Sequence, residues 1–132
     1  MVLVDTSVWV DLFRSRRTEA ASRLRRMLDD ERPFAIMPVI MQELMQGAAD
    51  ERDFALLDQY LTGQTMLLPF HPVDSHRRAA RIYFDCRRRG FTPRSTIDCL
   101  IAQVAVEHGV PLLHNDRDYE RIAQVVPDLE FA

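Results

Sequence analysis

Short apolar runs alternate with longer stretches in which apolar residues recur every three or four positions. Met1 to Asp5 is a brief apolar run that ends in an acid, and it reads as a buried strand. Thr6 and Ser7 can cap a helix that starts at once with Val8, Trp9 and Val10. A second helix is expected after Thr18, with Ala20, Leu24, Met27 and Leu28 on one face. Phe34 to Met37 makes a second strand. Pro38 then suits the first turn of a helix that runs through Glu43 and stops near Gly47. Asp50 can cap the next helix, whose inner face would be Phe54, Leu57, Tyr60 and Leu61, with Gly63 at its end.

Met66 to Phe70 is a third strand candidate, followed by Pro72. Asp74 to Arg89 reads as a long helix with Ala79, Ile82, Tyr83 and Cys86 inward, ended by Gly90. Ser95 to His108 is another, carrying Ile97, Leu100, Ile101, Val104 and Ala105 on its apolar side and stopped by Gly109. Val110 to Leu113 is a strand running into His114, Asn115 and Asp116. A short helix over Tyr119 to Val125 and an edge strand over Leu129 to Phe131 complete the chain. Strands alternating with amphipathic helices predict an α/β fold, with a central, mostly parallel sheet and helices on both faces. With 132 residues and no repeat or long linker, one domain over 1–132 is expected.

Composition narrows the chemistry. All 17 basic residues are Arg, so Schiff-base catalysis and a P-loop, which need Lys, are excluded. The net charge of -3 gives no bulk basic signature. Cys86 and Cys99 are far apart, fall in helical stretches and read as small buried hydrophobes in a reducing compartment. No segment has the pattern of a signal peptide or a membrane span, so a cytoplasmic location is expected. The four His lack zinc-ligand spacing, and no Ser stands in a nucleophile-elbow context.

The acids are more informative. Ligands of open parallel sheets bind beyond the carboxyl ends of the strands, and Asp5 and Asp116 stand at two such ends. Glu43 and Asp98 interrupt otherwise apolar helical stretches, where a carboxylate needs compensation. A shared Mg²⁺ would compensate all four, because it takes hard carboxylate oxygens and binds phosphate. Each acid also has a plain role open to it. Asp5 can cap the first helix, Glu43 can face solvent, Asp98 can close a capping box with Ser95, and Asp116 can form an Asx turn.

The order of these acids within their local motifs resembles the PIN-domain family. Val4 to Trp9 (VDTSVW) is similar to its opening motif, and Gln42 to Gly47 (QELMQG) to its second. Thr96 to Ala102 (TIDCLIA) resembles the third, and His114 to Tyr119 (HNDRDY) the fourth, which ends in an aromatic. The helix ending in Arg87-Arg88-Arg89-Gly90 resembles the VapC toxin branch. The resemblance covers essentially the whole chain.

It implies a three-layer α/β/α PIN-like fold and a magnesium-dependent endoribonuclease, with Mn²⁺ as a substitute ion. Asp5, Glu43, Asp98 and Asp116 would be the catalytic, metal-binding tetrad. Thr6 would contact the scissile phosphate or orient Asp5. Asp118 would bind the metal through water or cap the last helix. Products would carry a 5′-phosphate and a 3′-hydroxyl. The implied partners are RNA, a second copy in a homodimer, and a cognate VapB-type antitoxin that blocks the site. Arg94, just before the third motif, is the best-placed phosphate contact among the Arg groups. Alternatives are a PIN nuclease of RNA processing outside a toxin pair, and a PIN module that binds without cleaving.

Overall fold

The computed structural model describes residues 1–132. In chain order the elements are β1 (Val2–Val4), α1 (Thr6–Phe13), α2 (Glu19–Asp29), β2 (Phe34–Ala35), α3 (Pro38–Gln46) and α4 (Glu51–Thr62). They continue with α5 (Pro72–Arg88), α6 (Thr96–His108), β3 (Leu112–Leu113) and α7 (Arg117–Ile122). The sheet has the order β2-β1-β3 and both pairings are parallel, with Leu3 opposite Ala35 and Val4 opposite Leu113. Placing β1 in the middle explains why its residues are apolar on both sides. Leu3 and Val4 are fully buried, as are Ala35 and Leu112 beside them.

Helices α1 to α4 pack among themselves, as do α5 to α7, giving the two helical layers around the sheet. Local sequence sets their ends. Thr18 caps α2 by accepting from the Ala21 amide, and Asp50 caps α4 by accepting from the Asp53 amide. Gly109, at φ 61°, ends α6 in the left-handed region that costs a side chain strain. The sequence allows two caps for α1, and the fold uses the acid. Asp5, not Thr6 or Ser7, is the N-cap of α1, because its carboxylate reaches the Ser7 amide while the Thr6 hydroxyl turns to Glu43.

Two expected strands shrink to single bridges. Met66 pairs only with Ile36, through Ile36 N–H to Thr65 and Leu67 N–H to Ile36. Pro69 then has no N–H to donate, and the Leu68 carbonyl is taken by the His108 ring, so the ladder cannot continue. Phe131 pairs only with Leu112, because β3 is two residues long and turns away at His114. Helix α4 also departs from its expected inner face. Only Leu61 is buried, and Phe54 and Tyr60 are 44% and 41% exposed. This helix packs on α3, and its remaining apolar side forms the wall of an open groove.

Candidate active site

The carboxyl end of β1 places Asp5 at the start of α1, where it is 4% exposed. Its Oδ2 accepts from the Ser7 amide at 3.0 Å and the Ser7 hydroxyl at 2.6 Å, and its Oδ1 accepts from the Tyr119 hydroxyl at 2.7 Å. All three donors are fixed by secondary structure, so this carboxylate has little freedom to turn.

Asp98 lies in the first turn of α6. Ser95 caps that helix through the Ile97 amide at 3.2 Å. The capping box does not close. Asp98 directs Oδ1 to the Tyr119 hydroxyl at 3.3 Å instead of back to Ser95. Glu43 rises from the middle of α3 to accept from the Thr6 hydroxyl at 2.9 Å, so it does not simply face solvent.

Asp116 caps α7, accepting from the Asp118 amide at 2.9 Å, and its Oδ1 also accepts from Arg94 Nη2 at 2.8 Å. The last helix is therefore capped by Asp116 and not by Asp118. Asp118, 4% exposed, accepts from the Arg94 amide at 3.0 Å and from Arg94 Nε at 3.3 Å. One carboxylate oxygen from each of Asp98, Asp116 and Asp118 lies within 4.8 Å of the others. The fold thus gathers acids from β1, α3, α6 and the start of α7 at one end of the sheet. Arg94 lies against two of them rather than free on a rim.

Crowding shows in the proton affinities. Burial, with Asp5 and Asp116 nearby, pushes the Asp98 carboxyl up to about 7, although Tyr119 pulls it down. Burial raises Glu43 as well, with the charge of Asp5 acting the same way and the Thr6 hydroxyl opposing. Burial lowers His114, so its ring is a neutral neighbour that packs on Tyr119 with centroids 5.0 Å apart. A divalent cation fits this site. Its donors are hard oxygens, two carboxylates already hold a guanidinium, and burial beside Asp5 and Asp116 disfavours the bare charge of Asp98.

Several residues of the site were not singled out as functional from the sequence. Tyr119 is fully buried and joins Asp5 to Asp98. Ser7 links Asp5 to the loop after β3, because its hydroxyl accepts from the Asn115 amide at 3.0 Å. Asp11, 4% exposed, accepts from Asn115 Nδ2 at 2.6 Å and from the Thr18 hydroxyl at 3.2 Å. The signal for Asp11 was present, since it is a lone acid between Val10 and Leu12, as Glu43 and Asp98 are lone acids in apolar surroundings.

The family model described as the PIN domain matches residues 2–125. The chain belongs to the PIN-domain family. Among its relatives are a VapC ribonuclease of Mycobacterium bovis and ribonuclease VapC11 of Mycobacterium tuberculosis. Each is 39% identical over 126 residues, covering 95% of this chain and 93% of the relative. The PIN fold is also shared with VapBC2 from Rickettsia felis, solved bound to a DNA fragment from its promoter (TM-score 0.72, 19% identity, 100% of this chain and 98% of the other). VapBC-1 from nontypeable Haemophilus influenzae superposes at the same TM-score and identity, covering 100% and 97%. Both structures support the fold alone. No helix of this PIN domain is long and apolar enough to cross a membrane.

Proposed function

We propose that this PIN domain is a divalent-metal-dependent endoribonuclease that acts as the toxin of a toxin–antitoxin pair. The observation that carries the reading is the gathering of Asp5, Glu43, Asp98, Asp116 and Asp118, held by Tyr119, Thr6 and Arg94, with too little positive charge among them. The 39% identity to ribonucleases over nearly the whole chain supports RNA as the substrate.

Asp98, Asp116 and Asp118 would hold Mg²⁺ or Mn²⁺, with Asp5 and Glu43 completing the acidic wall. When bound, the ion supplies water activation and charge stabilisation at the phosphodiester. Asp5 and Ser7 fix the backbone at the start of α1, so the Thr6 hydroxyl beside Glu43 is oriented in advance to meet a phosphate oxygen. RNA is repelled by the acids themselves, so cationic side chains must hold the strand over them.

The antitoxin reading rests on a second feature. A groove of about 620 Å³ runs between α1, α3 and α4, lined by Val10, Phe13, Leu44, Leu57 and Tyr60, with Arg14 and Glu43 at its edge. An apolar partner helix fits such a groove, and an Arg on it would reach the acids bidentately. The deciding experiment is RNA cleavage by the purified protein in excess EDTA and after adding back Mg²⁺ or Mn²⁺. Cleavage should vanish and return, and undiminished cleavage in EDTA would overturn the reading.

A further inference from the structure

Arg94 is the one cation of the chain that ion-pairs with the gathered acids. Its Nη2 donates to Asp116 at 2.8 Å, and its Nε and its amide donate to Asp118 at 3.3 and 3.0 Å. These are two of the three carboxylates whose oxygens lie within 4.8 Å of one another. The Arg94 side chain is otherwise 74% exposed, so nothing but these acids restrains its guanidinium. Its backbone amide, by contrast, is tied to Asp118 whichever way the side chain points.

We propose that Arg94 is a built-in counterion which occupies the Asp116–Asp118 side of the pocket and must be displaced by an incoming divalent ion. The inference rests on the metal reading above. A guanidinium and a divalent ion drawn to the same two carboxylates repel each other, so the two compete. The amide bond to Asp118 keeps that carboxylate in place after the guanidinium leaves. The pocket is thus neutralised in part while empty, at the cost of a weaker grip on metal. This exchange sets a threshold of divalent ion below which the acids stay closed by their own chain.

The test is calorimetric titration of Mn²⁺ into wild type, Arg94→Gln, Arg94→Lys and Asp98→Asn, paired with thermal melts in EDTA and in Mg²⁺. Because the Arg94 side chain is largely exposed and its charge is screened by solvent, Arg94→Gln should bind Mn²⁺ about three- to tenfold more tightly. Its metal-free melting temperature should fall, and its upward shift on adding Mg²⁺ should grow. Arg94→Lys keeps the charge without the two-carboxylate reach and should lie between. Equal or weaker Mn²⁺ binding by Arg94→Gln, with wild type and Arg94→Gln both binding, would overturn the counterion role and leave the metal site standing. Absence of Mn²⁺ binding in wild type and Arg94→Gln alike would overturn both this inference and the metal reading. In that case Asp98→Asn would give the same blank titration.

Discussion

The Tyr119 hydroxyl stands 2.7 Å from Asp5 Oδ1 and 3.3 Å from Asp98 Oδ1 at the base of the acidic pocket. A buried phenol here does two things. It satisfies a carboxylate that is almost wholly removed from water, and it ties the end of β1 to the start of α6 through α7. Tyr119→Phe keeps the ring packing against His114 and removes only the donor. Loss of a buried hydrogen bond to a charged group should cost roughly 1.5–3 kcal/mol of stability. The Asp98 carboxyl should then titrate above its present value of about 7, because Tyr119 is the group that pulls it down. Denaturant melts and a carboxyl NMR titration check the two effects separately. An unchanged Asp98 titration would show that the phenol serves Asp5 alone.

Asp98→Asn separates a metal ligand from a structural one. With its carboxyl raised to about 7 in the folded protein and near the usual carboxylate value when unfolded, the charged form is disfavoured by folding. The sign follows directly. Below about pH 4 Asp98 is neutral in both states and carries no penalty. Stability is then lost as the pH rises toward 7, by roughly 1–3 kcal/mol after allowing for solvent. Glu43, also raised by burial, adds in the same direction. Melts of the metal-free protein should therefore weaken from pH 4 to pH 8, and saturating Mg²⁺ should flatten the decline. Asp98→Asn should remove catalysis, keep the metal-free fold as stable or more so, and shrink the Mg²⁺ shift. Full activity with an unchanged Mg²⁺ shift would show that Asp98 is only structural.

The sequence made the acids legible because their signal is local. Asp5 and Asp116 follow apolar runs, and Glu43 and Asp98 interrupt apolar helices. The helices were legible for a related reason, since caps such as Thr18, Asp50 and Gly109 act within a few residues. What the sequence hid depends on distant partners. Nothing near Tyr119 says that its hydroxyl will meet Asp5, 114 positions away. The place of Arg94 just before the third motif suggests a phosphate contact, and only the fold shows Asp116 and Asp118 beneath it. The strand over Met66–Phe70 failed for lack of donors, as Pro69 and the His108 contact take the next backbone groups out of the ladder.

Thr6 and Glu43 supply a test on the other side of the pocket. The Thr6 hydroxyl donates to Glu43 Oε1 at 2.9 Å and is the group that lowers its carboxyl against burial and the Asp5 charge. Thr6→Val keeps the volume and removes the donor, so Glu43 should hold its proton to higher pH. The acid limb of the RNA cleavage profile should move upward, with the loss of activity greatest at the acid end. Thr6→Ser restores the donor and should restore the profile. A Val variant with an unshifted acid limb would show that Glu43 does not need to be ionised.

Asp11 and Asn115 form the last link, behind the pocket. Asn115 Nδ2 donates to Asp11 Oδ2 at 2.6 Å, the Asn115 amide donates to the Ser7 hydroxyl at 3.0 Å, and that hydroxyl donates to Asp5 at 2.6 Å. Asp11 is also held by Thr18 at 3.2 Å and by Arg16 at 3.4 Å, so a buried acid on α1 organises the loop that leads into Asp116. Asp11→Ala removes the buried acceptor that the exposed Asn115 and half-buried Thr18 side chains share, which should cost roughly 1–3 kcal/mol. Asn115→Ala alone leaves Asp11 with its remaining donors and should cost less. Because the two side chains act on each other, the double variant should be less destabilised than the sum of the singles, by about 0.5–3 kcal/mol. Metal binding should weaken in both singles, since Asp116 directly follows Asn115. Urea melts of the four proteins of the cycle measure the coupling. Strict additivity would mean that Asp11 stabilises α1 and the Thr18 turn only, and that the route from Asp11 through Asn115 and Ser7 to Asp5 carries no energy.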